Sequence, residues 1–511
     1  MSDTIWVIVA FVLYVAMMIV IGAAYSKTNV KSEDYFLGGR KLGGFVAALS
    51  AQASDMSGWL LMGLPGAIFL TGISGDGWVA LGLLIGTILN WLIVASPLRK
   101  YTEMAGNSVT LPMFFENRFD DKKKRLMTVS SVIIAFFFIV YTASAFAAGG
   151  KLFSSVFGID YRAALTIGAV VILLYTFMGG FMAVCTTDFI QGMLMIIALL
   201  AVPIVALAIM GRDGLTMAAG LAANGLEGQE ASDFVNLFAG KKATDIISGF
   251  AWGLGYFGMP HILVRFMAVR DEKAMKQSKV IAISWVTLSL VFACVIGVVG
   301  RAFMNYDEIM EAGNERIFIE MIKRLFMNEI RLPIVAGIFL CGILAAIMST
   351  ADSQLLVSAS AVAEDIYKGV IKKDADDDSV LKLSRIAIIV IALVAYFIAF
   401  NPESSVMGLV SDAWAGLGAA FGPLVLMSLF WKRTNLSGAI AGLVSGAVTV
   451  ILWDYIPFVN GVTLGKTTGL YSLAIGFPVS LIFIVIVSLA TKAPSDAIVK
   501  VFEEVKGTKK A

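Results

Sequence analysis

Histidine occurs once and cysteine three times in this 511-residue chain, and charged side chains make up only 15% of it. Cys185, Cys294 and Cys341 lie in apolar segments without CxxC spacing, so neither a disulfide framework nor a zinc site is indicated. They read as small buried hydrophobes. No phosphate loop, catalytic triad or zinc pattern is present, which argues against ATP-driven pumping, and no enzyme activity or cofactor is expected. The net charge of +2 gives no basic field for nucleic acid.

What the chain has is apolar length. It is 59% hydrophobic with a mean hydropathy of +0.86, too much apolar surface for an ordinary soluble domain. Its apolar runs of about 20 residues predict a polytopic all-α membrane protein. Thirteen spans are predicted near 5–25, 43–70, 75–97, 127–150, 163–180, 187–211, 246–268, 278–303, 332–362, 383–400, 405–431, 436–455 and 468–491. No basic residue precedes the first run, which carries Asp3 and lacks a small-residue cleavage site, so it reads as a retained span.

The positive-inside rule orients these spans. With the N-terminus outside and the C-terminus cytoplasmic, inward segments hold 28 of the 39 Lys and Arg residues. That count includes 265–279 and 363–385 as inner loops. The exceptions concentrate in long outer segments, which obey the rule poorly. The predicted setting is the cell membrane, with the lipid bilayer as the only obligate surroundings and no protein partner indicated.

Spans two to six (43–211) and seven to eleven (243–431) form two five-helix units joined by the outer loop 212–242. An odd number of spans per unit makes the second inverted relative to the first. Residues 1–42 carry a peripheral first span, and 432–511 two more with a cytoplasmic tail. The outer loop is compatible with short interfacial helices, and the acidic stretch in 364–385 reads as a solvated loop.

Asp55 lies in a segment otherwise apolar enough to cross a bilayer, which marks an ion or substrate path. Its neighbours Ser54, Ser57, Gly58, Gly63 and Pro65 weaken helical continuity, and such a break survives only where it lines a cavity. The seventh span is interrupted likewise by Gly253, Gly255, Gly258 and Pro260. Paired interruptions in two halves point to a central transporter site, although glycines in membrane helices also serve close packing alone. At the first break, carbonyls near Ala53 and Met56 suit a hard cation, and amides near Ser57 and Gly58 suit an anionic group. On the ninth span Ala346, Ser349 and Thr350, at i, i+3 and i+4, put a carbonyl and two hydroxyls on one face. These are hard ligands that favour sodium, unless the hydroxyls merely bond back to their own helix.

The segments TyrPheLeuGlyGlyArgLysLeuGlyGly (35–44), AlaSerAspMetSerGlyTrp (53–59), TyrThrPheMetGlyGly (175–180), TrpGlyLeuGlyTyrPheGlyMetProHisIleLeuValArgPheMetAla (252–268) and LeuAlaAlaIleMetSerThr (344–350) together resemble the solute:sodium symporters. More narrowly they resemble the bacterial sodium/proline members, from about residue 5 to 495. The resemblance implies a LeuT-type fold with a 5+5 inverted-repeat core, alternating access, sodium as coupling ion and L-proline as solute. It puts the sodium site on the carbonyls of Ala53, Met56 and Ala346 and the hydroxyls of Ser349 and Thr350, with Asp55 supplying nearby negative charge. The substrate residues it implies are Ser57, Gly58, Tyr141, Trp252, Tyr256 and Pro260. It further suggests a second ion site at Asp188, Asp352 and Ser353 beside Ser349, for which a structural or gating role is the alternative.

Trp252, Tyr256 and Pro260, spaced by four, are predicted to share one helical face, an apolar wall for a proline ring and a π face for its ammonium. The bland alternative is a stripe that packs against neighbouring helices. His261 reads as a packed side chain rather than a proton relay. Arg40 reads as either a positive-inside anchor or a gate contact, and Asp412 has no account from sequence. Symport of another small organic solute, coupled to sodium or protons, shares every feature above. A solute sensor would need a regulatory domain, and none lies within these 511 residues.

Overall fold

In hydrocarbon every backbone amide and carbonyl must be satisfied within its own segment, which leaves helices as the economical solution for apolar runs of this length. The computed structural model, which describes residues 3–26, 32–459 and 461–507, is accordingly helical nearly throughout. Among the described residues the only sheet is a small hairpin, Pro457–Val459 with Val462–Thr463. Parts of the expected inner segments at 27–31 and 508–511, the N-terminal residues 1–2, and the side chains at 175 and 177–179 of one quoted motif lie outside the described residues.

Among the described residues ten helical stretches are long and apolar enough to cross a bilayer, and three further expected passages hide behind that number. Trp59–Met104 holds the end of the second span and the whole third, turned at Gly72 (φ 73°, ψ −177°). Tyr161–Arg212 would extend about 78 Å if straight, more than twice the ~30 Å hydrocarbon core. Gly180 (φ 63°, ψ −176°) divides it into the fifth and sixth spans. The seventh span falls short because it is broken into Ala243–Ala251, a tighter 3₁₀ stretch Trp252–Gly258, and Pro260–Ala268.

The segment expected as the outer loop carries two short helices, Met217–Ala223 and Gly228–Val235, the first capped by Thr216. The segment 364–385, expected as an inner loop, departs from that reading. The ninth span does not end near 362 but continues in π-helical form to Ile371, with Glu364 and Asp365 buried and Thr110 donating to Asp365. Nor is all of the acidic stretch a loop. Asp376 caps the tenth span (Asp377–Ile398) by accepting from the Ser379 amide at 2.8 Å, and hydrogen bonds from the Ser379 side chain and amide hold its carboxyl below the usual range.

The first span packs on the sixth and ninth, and the last two spans pack on each other and on the eleventh. Inside, glycines let the seventh span approach its neighbours closely. A Cβ on Gly253 would meet Gly82 and Gly86 of the third span, and one on Gly255 would enter the Trp414 indole of the eleventh. Close packing therefore explains these glycines, while the backbone of 252–259 still leaves the α-helix, with Met259 extended at ψ 105°.

Candidate functional site

The second span stops as a helix at Asp55 because Met56 adopts φ −80°, ψ 77°, and helix resumes in a π turn, Trp59–Gly63. Local polar groups cap the break. The Ser57 amide donates to Asp55 O at 2.9 Å, the Trp59 indole donates to the same carbonyl at 3.0 Å, and Ser57 Oγ accepts from the Trp59 amide at 3.2 Å. All of 49–66 is buried, so this irregular backbone is sheltered from lipid by protein.

The ninth span faces the end of the first half-helix. Ser349 Oγ donates to Ala53 O at 2.8 Å and lies 3.2 Å from Ala346 O, and Thr350 Oγ1 is 3.4 Å from Ala53 O. Ala53, Ala346, Ser349 and Thr350 are thus brought together, with buried Met56 at the adjoining break. Two hydroxyls and two carbonyls from two spans converge on a small, wholly buried volume. This is an oxygen-rich, thiolate-free donor set of the kind that suits a hard monovalent cation.

Asp55 and the seventh span meet beside it. Tyr256 Oη donates to Asp55 Oδ2 at 2.8 Å, whereas Asp55 Oδ1 and Tyr141 Oη, both buried, have no hydrogen-bond partner among the described residues. Such orphaned polar atoms carry a desolvation cost unless a ligand or ion meets them. Carbonyls of the seventh-span break are held by neighbours: Asn90 Nδ2 donates to Tyr256 O at 2.9 Å, and the Trp414 indole donates to Trp252 O at 2.7 Å.

The expected stripe of Trp252, Tyr256 and Pro260 is not a single helical face. In the 3₁₀ geometry of Trp252–Gly258, residues four apart are turned by about a third of a revolution. Trp252 stacks on Tyr471 (centroids 4.9 Å apart), Tyr256 meets the edge of Trp414 (5.0 Å), and Pro260 starts the following helix, lining a cavity with Phe181, Val264 and Leu356. Ser57, Gly58, Tyr141 and Tyr256 gather near the first break, while Pro260 lies beyond Met259 in a separate cavity.

Asp188 and Ser353 also come together, but around an arginine. Arg265 Nη2 lies 3.2 Å from Asp188 Oδ2 and 2.5 Å from Ser353 Oγ, and Ser353 in turn is 3.3 Å from Asp352 Oδ1. Arg265, counted above with an inner loop, is fully buried on the seventh span. His261 is packed edge-on to the Phe138 and Tyr141 rings (5.4 and 6.0 Å). Asp412 accepts from Tyr455 of the twelfth span at 2.5 Å, which supplies the account missing from sequence. Arg265, Ser50, Trp59, Trp414 and Tyr471 went unnoticed as site residues. Only Arg265 carried a signal, a basic residue five positions after Pro260 in an apolar run.

Residues 35–446 match the family model described as the Sodium:solute symporter family. The chain is 45% identical to the High-affinity proline transporter PutP of Bacillus subtilis (strain 168), over 96% of this chain and 99% of that protein. It is also 45% identical to the Sodium/proline symporter of Escherichia coli (strain K12), over 97% and 95% respectively. Among solved structures, a Na+-coupled sialic acid symporter in a substrate-bound outward-open state, described as revealing a novel Na+-site, shares the fold with a TM-score of 0.75 at 19% identity, covering 96% of this chain and 99% of that one.

Proposed function

The chain belongs to the sodium:solute symporter family, and from that premise we propose that it imports L-proline across the cell membrane by sodium-coupled secondary active transport. Its relatives of matching length transport proline, and the sequence similarity runs through both interrupted spans. The N-terminus faces outward and the C-terminus the cytoplasm, in keeping with the placement of Lys and Arg. Two inverted units, 43–211 and 243–431, carry the alternating access, and the first and last two spans surround them.

Sodium binds to the carbonyls of Ala53, Met56 and Ala346 and the hydroxyls of Ser349 and Thr350, with Asp55 balancing its charge. Proline lies against Ser57 and Gly58, whose amides open the second half-helix toward its carboxylate. Tyr141 and Tyr256 flank it, and Trp252 and Pro260 close the path on either side. The observation that carries this reading is the convergence of Ser349 and Thr350 on Ala53 O beside the Tyr256–Asp55 bond. Because one broken segment contributes to both ligands, sodium orders the proline site. A coupling of 1–3 kcal/mol corresponds to roughly 5- to 150-fold in affinity.

Uptake of radiolabelled proline into proteoliposomes, under an inward sodium gradient and under a proton gradient alone, tests the proposal. Sodium-driven accumulation that collapses in Ser349→Ala or Asp55→Asn supports it. Failure of proline to accumulate under either gradient would overturn the assignment of proline, and a screen of other small organic solutes would follow.

A further inference from the structure

The last two spans stand outside the two proposed five-helix units, yet the segment between them reaches the seventh-span break. Tyr471, the residue before the thirteenth span (Ser472–Ala490), lies flat on the Trp252 indole, with ring centroids 4.9 Å apart and planes 18° from parallel. It is held at both ends. Its amide donates to Ser248 Oγ of the seventh span at 3.0 Å, and its hydroxyl donates to Ser411 O of the eleventh at 2.8 Å. Gly469 (φ 67°) turns the chain into this position, Ser248 Oγ donates to Gly469 O at 3.3 Å, and the Trp453 indole donates to Leu470 O at 3.0 Å. The twelfth span (Leu436–Tyr455) is fastened to the eleventh in turn by the bond from Tyr455 to Asp412.

Trp252 needs such a brace. Its carbonyl is fixed by the Trp414 indole at 2.7 Å, but its neighbours in the 3₁₀ stretch, Gly253 and Gly255, carry no side chains and are pressed against Gly82, Gly86 and Trp414. The orientation of the indole therefore depends on what lies against its face. An aromatic pair is worth about two- to tenfold in an equilibrium beyond the area it buries. A partner already held by its amide and its hydroxyl loses little further freedom in providing that contact.

We infer that Tyr471 is a positioning residue for solute recognition: it holds Trp252 as a wall of the proline site and so sets how large a ring the site admits. The inference rests on the proline symport proposed above and adds the start of the thirteenth span to its machinery. Pipecolate, the homologue of proline with one more methylene in its ring, probes that wall. One methylene in a shaped apolar pocket is worth about 10- to 200-fold in discrimination, most of which is lost when the wall is free to shift.

The test measures kcat and KM for sodium-driven uptake of labelled proline and pipecolate by the full-length protein in proteoliposomes. The unaltered protein is expected to favour proline by about tenfold or more in kcat/KM. Tyr471→Leu is expected to raise the KM for proline about tenfold, leave kcat within about twofold, and narrow the proline-to-pipecolate ratio to about threefold or less. Tyr471→Phe, which keeps the ring and loses only the bond to Ser411 O, is expected to retain the ratio. Because Tyr471 acts through Trp252, Tyr471→Leu is expected to add nothing to the KM of a Trp252→Leu protein. Equal use of the two rings by the unaltered protein overturns the inference, as does a Tyr471→Leu protein with unchanged KM and ratio. Loss of kcat alone overturns it too, since a brace for the fold would cause that without touching selectivity. If Tyr471→Leu does not fold, Tyr471→Met, which fills similar space without a ring, is held to the same values. Absence of proline uptake by the unaltered protein would overturn the proline assignment itself, a result read before any variant is made.

Discussion

Tyr256 gives its phenolic hydrogen to Asp55 Oδ2 at 2.8 Å, a buried bond that ties the interrupted seventh span to the interrupted second. A hydrogen bond to a charged group is worth more than a neutral one, and stripping a donor from a buried acceptor costs about 1–3 kcal/mol. Tyr256→Phe is therefore expected to raise the sodium concentration for half-maximal uptake about tenfold, as is Asp55→Asn by more. If the two residues act through this bond, the double variant is no worse than Asp55→Asn alone. Sodium activation curves for all four proteins decide it, and strictly additive losses would sink the coupling.

Ser349 and Thr350 both turn their hydroxyls onto Ala53 O, at 2.8 and 3.4 Å. A ligand that binds only the folded protein stabilises it by about 2.7 kcal/mol at 100 times its dissociation constant. Sodium, and not choline, is thus expected to raise the melting temperature of the purified protein. Ser349→Ala should abolish that rise, on top of a modest drop in melting without sodium from the lost bond to Ala53 O; Thr350→Val should also abolish the rise, and Thr350→Ser should keep it. An undiminished sodium response in Ser349→Ala would exclude its hydroxyl from the ion site.

The all-helical membrane fold was legible because hydropathy and the positive-inside rule act on whole segments, and single residues hardly blur them. Asp55 was legible because a carboxylate in an apolar run is costly anywhere. Arg265 was not: by sequence it stands at the edge of a basic inner stretch, and only the fold brings Asp188 from 77 positions away to neutralise it. The stripe at 252, 256 and 260 failed for a different reason. A four-residue spacing implies a common face only in an α-helix, and the glycines that allow close packing against Gly82, Gly86 and Trp414 also let this segment tighten to 3₁₀.

That packing has a measurable consequence. An added Cβ at Gly255 would lie within the Trp414 indole, whose Nε1 holds Trp252 O at 2.7 Å. Overpacking a tight interior costs about 1–3 kcal/mol. Gly255→Ala is expected to lower the melting temperature and weaken proline uptake. Gly149→Ala, where the nearest atom would be 3.9 Å from the new Cβ, should change neither. Equal melting of the two variants would show that the seventh span does not depend on this contact.

Arg40 distinguishes an anchor from a latch on the side proposed as cytoplasmic. Held at φ 54°, it donates to Met267 O (2.6 Å), Ser108 O (2.8 Å), Asn107 Oδ1 (2.9 Å) and Thr102 Oγ1 (3.2 Å). The same seam is stitched by backbone bonds from Leu42 N to Ala268 O and from Arg270 N to Leu42 O, and by Arg99 on Val269 O. These contacts tie the end of the seventh span to the turn before the second, so inward release has to part them. A positive-inside anchor needs only charge, which lysine supplies, whereas a latch needs the planar fork of the guanidinium, which lysine lacks. Arg40→Lys is therefore expected to behave like Arg40→Ala: a cysteine placed at buried Val269, in a background with the three native cysteines replaced, becomes several-fold more reactive toward a water-soluble thiol reagent, and apparent proline affinity from outside falls. Wild-type reactivity in Arg40→Lys alongside raised reactivity in Arg40→Ala would instead assign Arg40 the role of a charge anchor, and leave the backbone pairing of Leu42 with Ala268 and Arg270 as the inner seal.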